Sequence, residues 1–425
     1  MNSNDTFNRS LSDWLRDDSE HRVPDHLQAV LAQTIATRQR PWWSSLRRWL
    51  PVEVTLPGAP LTRSGSWRPI LVLAAVGLLV AALLLLAVGS RRHLPQPFGP
   101  ARNGALVIGH DGDLFSLDST NGKAVPLVVN LDTNDFGPGF SRDGTKLLFL
   151  RGAAKGLELV VANADGSDQR VITPAVDGLD WVDWSPDSTR IAFLSHAPAT
   201  AGHQVNVVNV DGTGLTTLHI QPANQISWLP PNGAEILFRG EHGLDKDPPV
   251  GIYAVHPDGS GLRRISARPA LDVKDYNDLA VSPDGAFVAY RKVAPNAPFR
   301  VHILDLATGA DRELPSAPGS AGEGGPVFSP DGRSILYLRW AADSSTRLVI
   351  VPADDSNFGV AIGPSGPFGA DGPTINNYAF SPDGTEVFAN YDDEKVARLM
   401  PIDGSPGVVI ARGELAFGTY QRLAP

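Results

Sequence analysis

Five serines stand in nearly the same setting: Ser141, Ser185, Ser282, Ser329 and Ser381 are each followed by Pro or Arg, then Asp, then Gly or Ser. A serine hydrolase needs one such hydroxyl on a strained G-x-S-x-G elbow. No G-x-S-x-G run occurs in the chain. A serine that recurs at one place in a repeat is better explained by turn geometry than by nucleophilic attack. The ten histidines include no H-E-x-x-H or comparable metal spacing. His196 and His203 fall in one expected loop and could ligate a metal, but the sequence reads them as exposed loop histidines. Asp111-Gly-Asp113 and Asp165-Gly-Ser-Asp168 hint at calcium, yet lack the full D-x-[DN]-x-[DN]-G…E loop, and tight hairpins favour Asp-Gly in any case. Cysteine is absent, which removes disulfides, thiolate chemistry and Cys-based zinc sites. The expectation from these residues is a protein with no cofactor, no metal and no enzymatic activity.

Charge narrows the partners. The 425 residues carry 36 basic and 46 acidic side chains. Nine arginines and seven acids lie at or before Arg68, which leaves 27 basic against 39 acidic residues beyond it. An acidic body argues against a nucleic-acid partner, because phosphate binding needs a basic footprint.

The elements that position these residues come from a repeat. It reads GFSRDGTKLLFL from Gly139, DWSPDSTRIAFL from Asp183, SWLPPNGAEILF from Ser227, AVSPDGAFVAY from Ala280, VFSPDGRSILYL from Val327 and AFSPDGTEVFA from Ala379. The residues before the turns, Phe140, Trp184, Trp228, Val281, Phe328 and Phe380, are spaced by 44, 44, 53, 47 and 52. That is the spacing of propeller blades. Each unit continues into a second apolar strand ending in a Gly turn, such as LVVANADGSDQRVIT or IYAVHPDGSGLRRI. In Ser-Pro-Asp-Gly, Pro presets φ and Gly takes the positive φ that the hairpin requires. The pattern predicts four antiparallel strands per unit, with the apolar residue before the turn packed between neighbouring sheets. One unit cannot cover both of its faces, so the units must stack.

Six units are complete. Residues 104–130 supply later strands without a first one, and residues 415–425 supply a first strand with nothing after it. In register, Tyr420 stands where Trp184 stands in its own unit. The reading is an all-β, seven-bladed β-propeller closed by its C-terminal strand, which removes open sheet edges. The pattern hx[WF]SPDGxxhaF…hyhhdxDG resembles the TolB-like propeller repeat of bacterial periplasmic and envelope proteins, a relative of the WD-repeat propellers. That resemblance covers about three quarters of the chain and implies fold more than function.

In such a blade the short SPDG and DG turns share one face of the disc, and the longer loops share the other. Loops at 196–203, 241–249, 292–298, 342–346 and 363–375 make the second face irregular, and irregular loops on a rigid scaffold are where binding usually resides. Four and three residues before the apolar positions stand Asp180 and Trp181, Asn224 and Gln225, Asn277 and Asp278, and Asn376 and Asn377. These eight are the candidate binding residues, expected as a polar ring at the channel mouth.

Ahead of the repeat, the run from Ile70 to Gly89 has 20 residues and no charge, enough helix to cross a hydrocarbon core. Phe7, Leu11, Trp14 and Leu15 form one helix face, and Leu27, Val30, Leu31 and Ile35 another after Pro24. Trp42, Trp43, Leu46, Trp49 and Leu50 interleave with Arg47 and Arg48, which suits the membrane interface. The organisation read from the sequence is amphipathic helices at 1–50, a Pro-rich spacer at 51–69, a transmembrane helix at 70–89, a linker at 90–103 and the propeller at 104–425. Arginines before the span favour a cytoplasmic N-terminus and an extracytoplasmic propeller. The expected function is a non-enzymatic, single-pass, membrane-tethered binding or scaffold module for a protein, peptide or glycan. Its oligomeric state is not fixed by the sequence. The layout also resembles a membrane-bound anti-sigma factor, although the zinc motif common in those proteins needs a Cys that this chain lacks. That resemblance implies a signalling regulator with a propeller sensor. An enzyme working at the channel mouth is a third reading.

Overall fold

The Ser-x-Asp-Gly turns close on themselves. Ser141 Oγ donates to Asp143 Oδ1 at 2.6 Å and accepts the Lys146 N–H at 3.0 Å. Ser185 does the same with Asp187 and the Arg190 N–H, at 2.6 and 2.9 Å. Ser282, Ser329 and Ser381 repeat the arrangement. All five serines are buried. The residue after each Asp adopts positive φ, +69° at Gly144 and +59° at Ser188. Each turn therefore fixes the register of the hairpin it joins, and each hydroxyl is spent on that task.

A computed structural model describes residues 96–425 apart from 118–122, 131, 197–202, 219, 221, 241–250, 267–277, 293–296, 370–371, 414 and 425. Its strands assemble into seven antiparallel sheets, six of four strands and one of five. Blade 1 joins the C-terminal strand Leu415–Leu423 to Arg102–His110, Asp113–Leu117 and Ala124–Val128. Blades 2 to 7 begin with Asp135–Phe140, Val182–Trp184, Pro222–Trp228, Leu279–Val281, Ser320–Phe328 and Ile375–Phe380, and each runs outward in chain order. Blade 6 carries the extra short strand, Gly372–Pro373.

Middle strands have both faces covered; Arg190–His196, for example, has five consecutive buried residues. That is what a sheet stacked between two others requires. The core is accordingly divided into seven apolar clusters among the described residues, each shared by two neighbouring blades. Phe140, Trp184, Trp228, Phe328, Phe380 and Tyr420 each sit in the cluster between their own blade and the preceding one, and Val281 packs partly buried in the same way. The cluster of Phe388, Leu399 and Ile410 with Leu106, Leu117 and Tyr420 joins blade 7 to blade 1 and completes the ring. Two backbone amides reinforce that seam: Ala101 N–H donates to Pro382 O at 2.8 Å, and Asp383 N–H to Asn103 Oδ1 at 3.0 Å.

The expected helices at 1–50, the spacer, the span at 70–89 and residues 90–95 of the linker lie outside the described residues. Among the described residues, no helix is long and apolar enough to cross a membrane.

Candidate functional site

The starts of the first strands, the ends of the second and the starts of the third all open on the face opposite the Ser-x-Asp-Gly turns. Of the eight candidate residues there, Asp180 and Trp181 are exposed. Asp180 Oδ2 meets His203 Nε2 at 2.6 Å. Gln225 is instead buried, and its amide clamps the backbone of the next blade. Nε2 donates to Leu279 O and Oε1 accepts the Leu279 N–H, both at 2.6 Å. Asn224 lies on the strand Pro222–Trp228. Asn377 takes φ +46° and donates to Asn376 Oδ1 at 3.0 Å, while Asn376 donates to Asp392. Asp278 pairs with Arg291, both side chains nearly enclosed. Burial pushes the Asp278 carboxyl above the usual carboxylate range, and the Arg291 charge opposes that only in part. Asn277 lies outside the described residues. The eight thus divide: Asp180 and the Asn376–Asn377 pair meet partners in their own blade, whereas Gln225 ties two blades together.

Other groups on this face escape a reading by offset from the turn. Asp135 and Glu323, each five residues before its aromatic, are fully enclosed and meet Arg151 and Arg339 across the ladder, at 2.7 and 2.9 Å. Burial, with the Glu323 charge nearby, pushes the Tyr337 hydroxyl up to about 12, although Arg339 opposes the shift. Next to Glu323, whose N–H donates to Phe299 O at 3.1 Å, runs an aromatic series. Trp340 lies between Phe299, at 6.2 Å between ring centroids, and Phe368, at 5.8 Å. Arg291 caps the Phe299 ring at 4.7 Å. Gly322 makes room for the indole, since a Cβ there would come within 2.2 Å of it. Phe368 is 39% exposed. Flat apolar rings edged by fixed arginines and carboxylates can stack on a ligand while orienting its polar groups.

His196 and His203 end and begin adjacent strands and stand directly opposite each other, their rings 5.3 Å apart. With Asp180 they bring three potential ligand atoms within 4.8 Å of one another.

Residues 114–361 match PD40, the TolB beta propeller domain. The chain belongs to this family. Among solved structures, the TolB-family propeller is similar to an oligogalacturonate lyase from Vibrio parahaemolyticus, with 16% identity over 73% of this chain and 92% of the other and a TM-score of 0.54. It is also similar to the tricorn protease, with 12% identity over 77% of this chain and 35% of that one and a TM-score of 0.53. At such identities the likeness is one of fold. A probable dipeptidyl-peptidase 5 from Emericella nidulans is 39% identical over 75 residues, a stretch that spans 15% of this chain and only 10% of the relative. These matches correct the expectation of a protein without enzymatic activity. The propeller fold is shared with a lyase and a protease, so a missing G-x-S-x-G elbow gives no ground for excluding catalysis.

Proposed function

We propose that the chain is a membrane-tethered, extracytoplasmic binding or scaffold module that takes a protein, peptide or glycan on the loop-rich face of its propeller. The observation that carries this reading is the Phe299–Trp340–Phe368 series, with Arg291 over the Phe299 ring and the Phe368 ring left partly open. Turns on the opposite face have their hydroxyls and carboxylates tied into hairpins, which leaves less to offer a partner. The tether rests on the uncharged stretch 70–89, and the orientation on the arginines before it.

Crosslinking and mass spectrometry of the full-length chain in its membrane test the reading. Cross-links should map to residues around Trp340 and Phe368, and Trp340→Ala should reduce capture about tenfold or more, as loss of an aromatic anchor does. Cross-links confined to the Ser-x-Asp-Gly face, or capture indifferent to Trp340→Ala, would overturn it. Protease added outside intact cells should digest the propeller; full protection would reverse the orientation.

A further inference from the structure

Asp180, His196 and His203 carry an inference that does not depend on the binding reading above. His196 and His203 are seven residues apart, a spacing that matches no metal motif. The ladder between Arg190–His196 and His203–Asn209 nevertheless makes them a direct cross-strand pair, so both rings leave the sheet on one side. Asp180 reaches the same point from the segment leading into the first strand of that blade. Its backbone is held there, with its N–H donating to Leu194 O at 3.0 Å and Trp181 O accepting the Leu194 N–H at 2.9 Å. The His196 N–H donates to Asp177 O at 3.3 Å. Gly178, at φ +57°, completes the arrangement: a Cβ there would lie 2.2 Å from the His196 ring, so only glycine leaves space for that imidazole.

We propose that these three side chains form a binding site for a divalent transition metal of the zinc class. Two imidazoles and one carboxylate are borderline ligands that suit zinc and its neighbours better than calcium or magnesium, which favour all-oxygen shells. Tetrahedral zinc holds such atoms about 2.0–2.2 Å from itself, hence about 3.3 Å from one another. The 2.6 Å contact between His203 Nε2 and Asp180 Oδ2 needs to open slightly, and the outer limit of 4.8 Å needs to contract. Small side-chain rotations accomplish both, since Asp180 and His196 are exposed. In the metal-bound form the ion takes the place of the direct contact between His203 and Asp180. Three protein ligands leave a fourth position for water or for a donor atom of a bound partner. Trp181, the next residue after Asp180, is exposed as well.

The test uses the full chain in detergent, without a polyhistidine tag, stripped by chelator and titrated with zinc chloride by calorimetry near neutral pH. A saturable site is expected whose affinity falls by at least about tenfold in His203→Ala, His196→Ala and Asp180→Asn, the loss typical of disturbed metal shells. His256→Ala, at a hairpin where His256 contacts Ser260 at 3.1 Å, should leave that site unchanged. Unaltered thermal unfolding of the apo variants shows that they fold, and cobalt chloride should give the visible absorption of a low-coordinate His-ligated ion. The absence of saturable binding, or binding unaffected by all three substitutions, overturns the assignment.

Discussion

Tyr420, near the end of the chain, stands directly opposite Leu106, in the first strand of the propeller, and both are buried in the apolar cluster that joins blade 7 to blade 1. Residues more than three hundred positions apart thus share one ladder. This pairing converts a row of sheets into a ring and fixes the loop-rich face as one surface.

The turn serines act structurally, so their loss should register in stability. Ser185→Ala removes the acceptor of the part-buried Arg190 N–H and the donor to Asp187. It should destabilise the chain by about 1–2 kcal/mol, the lower part of the range for an orphaned buried group. Urea denaturation measures this, and a change near zero would show that the hydroxyl is dispensable.

Asp135 is fully enclosed and holds Arg151 through two bonds, at 2.7 and 2.8 Å. Its hydrogen bond is also the main reason the Arg151 guanidinium is held above its usual range. Asp135→Ala should cost about 3 kcal/mol, at the lower end for a broken buried pair because Arg151 keeps some contact with water. The double variant Asp135→Leu/Arg151→Met should recover part of that loss. A double variant that costs the sum of Asp135→Leu and Arg151→Met alone would show that the two side chains are not coupled.

Acid should loosen the outer hairpins. Asp165, Asp211 and Asp258 are held below their ordinary value of 3.8 by the hydroxyls of Ser167, Thr213 and Ser260, each two residues on. A carboxylate depressed in the folded state contributes stability that is present above its unfolded pKa and disappears as pH falls through the folded value. The window therefore lies below about pH 4. Asp278 and Glu386, raised chiefly by burial, act in the opposite sense, so variants rather than the whole-chain curve carry the test. Ser167→Ala, Thr213→Ala and Ser260→Ala together should flatten the acid limb of thermal unfolding against pH. An unchanged limb would mean these turns do not contribute to it.

Blade number and closure were legible because turn chemistry is local: Ser, Asp and Gly at fixed offsets mark most of the first hairpins, and two unmatched ends imply a joined sheet. The site was less so. Asp135 with Arg151, and Glu323 with Arg339, are separated by 16 residues and meet through ladder register. Phe299, Trp340 and Phe368 come from three different strand ends. His196 and His203 read as loop residues until their strands are paired. Gln225 looked available because it is polar and recurs at a set offset, yet its amide satisfies buried backbone groups of Leu279. The expectation of no catalysis rested on missing motifs, the G-x-S-x-G elbow and the usual metal spacings among them, and the enzymes that share this fold overturn it.

Thermal unfolding of the full chain against one lacking residues 415–425 addresses the ring most directly. Deletion exposes the edge of Arg102–His110 and removes Tyr420 from its cluster. The expected result is a midpoint lowered by roughly 10 °C or more, with aggregation through the open edge. An unchanged midpoint in a monomeric product would contradict closure by the C-terminal strand.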